Sequence, residues 1–240
     1  ISENLSEMPG AKFFPEAKLN YAENLLRSPD NSLAIEEFRE DGFSNELTRK
    51  ELKNKTLKMA GWLKSKGIKK GDRVCAYMPN CSETIITMLA TSALGAIFSS
   101  CSSDFGIEGV IDRFEQIEPK ILVATNGYLY NGKLIERADE IKTISKRLTS
   151  LEHILVVEYI TSTKDIDGFP NFNTVFQSDP LAKYVLCDFN DPLYIVFSSG
   201  TTGKPKCIVH SIGGVLIQHA KEHLLHTNLV EKQKMFYFTT

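Results

Sequence analysis

Between residues 47 and 157, short apolar runs alternate with stretches of helical period, and this alternation limits the possible folds more than any other feature of the chain. The first helical stretch is Leu47 to Lys66. Thr48 stands three residues before Glu51, the spacing at which the two side chains satisfy each other's backbone N–H groups at a helix start. Leu52, Leu57, Ala60, Trp62 and Leu63 follow at roughly helical spacing, and Gly67 supplies a residue suited to ending the helix. A polar turn, Lys69 to Asp72, leads into Arg73–Met78, which is apolar enough for a strand covered on both faces. Pro79 and Asn80 break that strand, Ser82 opens a second helix through about Leu94, and Gly95 closes it. Ala96–Ser99 reads as the next strand and Gly109–Ile117 as a helix stopped by Pro119, with further strands at Ile121–Ala124 and Ile154–Val157. The pattern predicts an α/β fold of parallel βαβ units, with a sheet covered by helices on both faces. Ligands of such sheets bind beyond the carboxyl ends of the strands. Residues 79–82, 99–106 and 198–206 are therefore the places to look. Tyr159–Asp191, rich in Ser, Thr, Asp, Asn, Gly and Pro and without clear period, reads as a long surface connection.

The stretch with the most chemistry follows that connection. A β-branched apolar run, Tyr194–Phe197, passes directly into Ser198, Ser199, Gly200, Thr201, Thr202, Gly203, Lys204, Pro205 and Lys206. Small side chains let backbone N–H groups approach an oxyanion, and glycines allow the backbone angles this requires. Hydroxyls add donors and can help hold a phosphate-bound metal, while Lys206 adds positive charge. A nucleotide triphosphate fits these properties. The run is not a Walker A loop, because Gly200 and Gly203 are too close together and Pro205 follows Lys204. A second reading, from composition alone, is a flexible Ser/Thr/Gly linker. The abrupt junction with an apolar strand and the Pro-Lys end favour phosphate binding.

Other features narrow the functional class by exclusion. With 28 Lys and Arg against 30 Asp and Glu, the net charge is −2, which gives no support for a nucleic-acid partner. No apolar run reaches the roughly 18 residues of a membrane span, and Ile1–Gly10 does not read as a signal peptide, so a cytoplasmic location is expected. The five cysteines are odd in number and form no CxxC pair, which predicts buried thiols rather than a disulfide or zinc framework. His219, His223 and His226 have helical spacing, but no acidic partner accompanies them, and they read as packed or solvated histidines. Lys53 to Lys58 and Lys69-Lys70 read as solvated charge, and Asp112-Arg113 as a surface or intra-domain pair.

The nine residues Ser198 to Lys206 resemble, without a gap, the phosphate-binding loop of the adenylate-forming superfamily. That superfamily includes acyl-CoA synthetases, luciferases and peptide-synthetase adenylation domains. Lys18–Leu26, Phe98–Ser100, Asp104–Gly106, Gly109–Phe114, Tyr130–Lys133 and Ile208–Ser211 resemble its branch acting on acetoacetate. The resemblance implies part of a large amino-terminal adenylation domain, incomplete here. Its subdivisions would be a leading segment 1–46, a βαβ subdomain 47–158, a connection 159–191, and a phosphate-loop strand with following helix 192–240. It implies that acetoacetate reacts with ATP to give an acyl-adenylate and pyrophosphate, and that CoA then displaces AMP. Another short acid, or a non-catalytic piece retaining only the fold, are the alternatives. On this resemblance Lys206 is catalytic, and Ser198, Ser199, Gly200, Thr201, Thr202, Gly203 and Lys204 hold the ATP phosphates, with Thr201 near Mg2+. Phe105, Gly106 and Lys133 would border CoA. The family's second nucleotide motif, ribose-binding Asp and carboxyl-terminal domain with its Lys are not found, so this piece is expected to be inactive by itself.

Overall fold

Thr48 caps a helix as its spacing with Glu51 predicts: its Oγ1 accepts from the Glu51 N–H at 3.1 Å, and the Glu51 carboxylate accepts from the Thr48 N–H at 2.9 Å. That helix ends at Gly67, where φ is +80°. The Gly67 N–H bonds the Lys64 carbonyl and the Ile68 N–H bonds that of Leu63, the paired bonds of a Schellman end. The structure is a computed structural model and describes residues 2–7, 9–161, 166, 168–198 and 203–236.

The elements run β1 (Ser2–Glu3), β2 (Lys12–Phe13), β3 (Lys18–Leu19), α1 (Tyr21–Leu25), β4 (Leu33–Phe38), β5 (Ser44–Thr48) and α2 (Arg49–Ser65). The βαβ part follows as β6 (Arg73–Met78), α3 (Ser82–Ala93), β7 (Ile97–Ser102), α4 (Ile107–Phe114), β8 (Ile121–Thr125), β9 (Gly127–Tyr130), β10 (Lys133–Glu136), α5 (Ala138–Arg147) and β11 (His153–Val157). After a 3-10 turn at Phe172–Gln177 come β12 (Cys187–Asp188), β13 (Pro192–Phe197), β14 (Cys207–Ser211) and α6 (Ile212–Lys221).

Six strands form the central sheet in the order β11-β8-β6-β7-β13-β14, all parallel except β14, which returns antiparallel beside β13. The period of two divides the core. Val74, Ala76 and Met78 of β6 face α2 and α3 through Met59, Leu63, Ile86 and Ala90. Cys75 and Tyr77 face α4 and α5 through Val110, Phe114, Ile141 and Ile144. The expected α/β fold with a two-sided parallel sheet is what the chain adopts. Among the described residues no helix is long and apolar enough to cross a membrane.

Two expectations need correction. Tyr159–Asp191 is not a surface connection, because Phe172, Val175, Leu181 and Cys187 are buried in the main core. The Leu181 N–H bonds the Leu57 carbonyl of α2 at 2.8 Å, and the chain at Asp179 lies directly against Gly61. Nor is all the lysine charge free: Lys58 Nζ donates to the Phe176 carbonyl at 2.9 Å, and Lys70 pairs with Asp191 at 2.6 Å.

Helix α3 begins at Ser82, but its cap comes from elsewhere in the chain. The Cys81 side chain, at the cap position, makes no capping bond to the backbone, and the buried Glu37 of β4 accepts from the Ser82 N–H at 3.1 Å. Truncation would leave that buried amide without a partner. Glu37→Ala is expected to lower stability by about 1 to 2 kcal/mol. A urea midpoint unchanged from the parent would rule the cap out.

Candidate active site

The Ser/Thr/Gly run is the loop of a hairpin at one end of the sheet. Phe197 pairs with Cys207, and the ladder continues one step further: the Ser198 N–H donates to the Lys206 carbonyl at 3.1 Å, and the Lys206 N–H to Ser198 Oγ at 3.3 Å. Gly203 has φ +152°, where an L side chain would be strained. Ser199, Gly200, Thr201 and Thr202 lie outside the described residues. Lys204 Nζ stands 3.7 Å from the Glu115 carboxylate, with both side chains largely exposed. Lys206 is also exposed and has no ion pair among the described residues. The buried hydroxyl of Ser99 donates to the Ile195 carbonyl at 2.7 Å, fastening β13 to β7 beneath the loop.

The strand order also marks a second place. The chain steps from β6 to β7 on one side and then crosses to β8 on the other, so the topological switch lies between β6 and β8. Beyond their carboxyl ends is a crevice of about 560 Å³, lined by Met78, Asn80, Ser103, Asp104, Tyr130 and Glu40 among others. The loop after β7 is held there from below. Tyr77, fully buried in its ring, donates through its hydroxyl to the Phe105 carbonyl at 2.6 Å and the Ser103 carbonyl at 3.2 Å. Burial pushes the Tyr77 phenol well above its ordinary pKa, so it stays a donor. Arg137 Nε reaches the same Ser103 carbonyl at 2.9 Å. No ion pair joins Arg113 to Asp112 among the described residues, and Arg113 Nη1 donates instead to the Gly109 carbonyl at 2.7 Å. Its guanidinium lies 4.6 Å from the Phe105 ring centre and 5.9 Å from that of Phe197, bridging the β7 loop and the strand before the hairpin loop.

Phe105 is half-buried, and Gly106 is the exposed N-cap of α4. Lys133 is exposed and faces Tyr130 across the two-residue turn Asn131-Gly132, with φ +51° and +72°. The two turn amides are bound by the Glu40 carboxylate at 3.1 and 2.8 Å. Asp104 and Tyr130 line the crevice, Phe105, Gly106 and Lys133 flank it, and none of Ser198, Lys204 and Lys206 is among the residues lining it. Sequence reasoning missed Tyr77, Arg137 and Glu40, each of which acts on a residue distant in the chain.

The remaining candidates have structural surroundings. Burial raises the Cys81 and Cys101 thiols to about 12, which makes them poor nucleophiles. Four of the five free cysteines are buried, and Cys207 is exposed. His219 is half-buried, with Nδ1 3.3 Å from the Tyr21 hydroxyl. Burial, and then the nearby His223, lower its pKa. Helix α6 gives way to a π-turn at Glu222–His226, so the three histidines do not share one regular helix.

The family described as "AMP-binding enzyme" matches residues 22–238. The chain is 46% identical over 240 residues to the acetoacetyl-coenzyme A synthetase of Rhizobium meliloti (strain 1021), which covers 97% of this chain and 36% of that protein. It is 39% identical over 251 residues to the acetoacetyl-CoA synthetase of Mus musculus, covering all of this chain and 37% of the relative. The chain thus spans little more than a third of the length of these relatives. Acetoacetyl-CoA synthetase from Streptomyces lividans superposes with a TM-score of 0.87 at 38% identity, over 92% of this chain and 35% of that one. With a family match over nearly its whole length and the same sheet as a solved relative, the chain belongs to the AMP-binding enzymes.

Proposed function

We propose that the chain contributes the triphosphate-holding part of a ligase that joins acetoacetate to CoA through an acyl-adenylate. The observation carrying this reading is the hairpin loop Ser198–Lys206, closed by reciprocal Ser198–Lys206 bonds at an end of the sheet, in a chain similar to acetoacetyl-CoA synthetases. In the first step a carboxylate oxygen of the acid attacks the α-phosphorus. The bond to the bridging oxygen breaks, and that oxygen leaves with the β- and γ-phosphates as pyrophosphate. In the second, the CoA thiolate attacks the acyl carbon, and AMP leaves with the electron pair of the broken C–O bond. Little covalent chemistry falls to the protein in step one, so its contribution is alignment and charge stabilisation.

On this reading Ser198 to Lys204 hold the β- and γ-phosphates through backbone and hydroxyl donors, and Lys206 offsets the charge gathering on pyrophosphate. The backbone donors of the loop suit the phosphate oxygens, whereas a hydroxyl oxygen could coordinate Mg2+ carried in on those phosphates, with Thr201 as the candidate ligand from this chain. Such an ion neutralises charge on the leaving group. Phe105, Gly106 and Lys133 would guide CoA along the crevice, which is supported by its position at the topological switch. Acetoacetate, ATP and CoA are the partners, and five free thiols accord with a cytoplasmic, reducing setting.

The test is acid-dependent ATP–pyrophosphate exchange by the protein expressed from its complete reading frame, with acetoacetate, acetate, propionate and butyrate. Exchange is expected to be greatest with acetoacetate. A preference for another acid would retain the chemistry and replace the substrate. No exchange by the folded protein with any acid would overturn the reading.

A further inference from the structure

Helix α4 stands between the two candidate ligand loops. Its N-cap, Gly106, closes the loop after β7, and the turn after its last residue carries Glu115 and Gln116 to the hairpin loop. These two contacts differ in worth. Glu115 and Lys204 are 3.7 Å apart and well exposed, so that pair contributes little. Gln116 makes a more specific arrangement. Its Nε2 donates to the carbonyl of Pro205 at 2.9 Å and to that of Asp112 at 2.6 Å, while its Oε1 accepts from the Cys207 thiol at 3.7 Å. Pro205 is buried and has no N–H, so its carbonyl is its one main-chain group able to bond. A single carboxamide, with a donor edge and an acceptor edge, therefore grips the residues on either side of Lys206.

We infer that Gln116 is a positioning residue for nucleotide binding: by holding Pro205 and Cys207 it fixes the backbone that presents Lys206. The inference rests on the reading of Ser198–Lys206 as the triphosphate loop. A loop exit that must be ordered when the nucleotide arrives weakens binding, whereas one ordered beforehand does not. The effect should fall on ATP rather than on the acid or CoA.

Steady-state kinetics of the protein from its complete reading frame test this. Gln116→Ala is expected to raise KM for ATP about threefold to tenfold, the worth of one hydrogen bond, and to leave KM for acid and CoA within about twofold. Gln116→Glu keeps the length, removes the amide donor and should show the same loss; it also serves if the alanine variant folds poorly. Gln116→Lys restores an N–H donor towards Pro205 and should recover most of the affinity. A role confined to holding the helix together would lower the melting temperature and disturb all three KM values alike, without recovery by lysine, and would overturn the proposal. Lys206→Ala run in parallel separates the two readings. If it impairs the ATP step while Gln116→Ala does not, the loop reading stands and the role of Gln116 falls. If neither has an effect, both fall.

Discussion

Lys206→Ala is expected to slow acid-dependent ATP–pyrophosphate exchange by about a hundredfold or more, the loss seen when one preorganised charge-stabilising donor is removed. The expectation follows from where the residue stands. Its backbone is held on both sides, by the Ser198 bonds and by Gln116 on its neighbours, yet its side chain is exposed and without an ion pair among the described residues. A charge so placed remains available to a ligand. Lys204, by contrast, has the Glu115 carboxylate nearby. The fall should appear in kcat for adenylate formation, because negative charge on the leaving pyrophosphate grows as the bond breaks. An exchange rate within about twofold of the parent would remove Lys206 from the reaction.

The second large effect concerns folding. Gly61→Ala would ordinarily help a helix, by about 1 kcal/mol, because alanine costs less backbone entropy than glycine. Here it is expected to destabilise by about 3 kcal/mol, since the core would be overpacked. A Cβ built on Gly61 meets the Asp179 carbonyl oxygen at 1.9 Å, and that oxygen belongs to backbone tied to α2 by the Leu181–Leu57 bond. Neither the helix nor the crossing chain can withdraw without breaking that bond. The check is equilibrium unfolding in urea, with an unchanged slope and a lowered midpoint. A variant as stable as the parent would mean that the Asp179 crossing does not press on the helix.

The βαβ elements were legible because their signals are local. Thr48 with Glu51, Gly67, Pro79, Gly95 and Pro119 punctuate the chain where the elements begin and stop. The hairpin β4–β5 was not foreseen, although Asp41-Gly42, with φ +82° at the glycine, is the turn chemistry that signals one. The antiparallel return of β14 also went unread. Ile208 and Val209 are both exposed there, so no in-out alternation marks the strand. The candidate phosphate loop stands out in the sequence, because an anion site of backbone amides would be built from consecutive residues. Gln116 could not, because Pro205 lies 89 residues away and nothing around Gln116 distinguishes it from any helix-end glutamine. Tyr77 was hidden in another way: its ring belongs to a strand's buried face, and only its hydroxyl reaches the site.

Helix α4 has a consequence for how sequences of this kind can change in length. Its eight residues, Ile107–Phe114, advance about 12 Å from the loop at one end to the loop at the other. It works as a ruler. One residue inserted between Gly106 and Gln116 would carry the far end about 1.5 Å onward and swing it through about 100°, turning the carboxamide away from Pro205. The loops at either end can gain or lose residues without that penalty. Length variation is therefore confined to the ends of the ruler, while its own divisions are held constant by the two things it measures between.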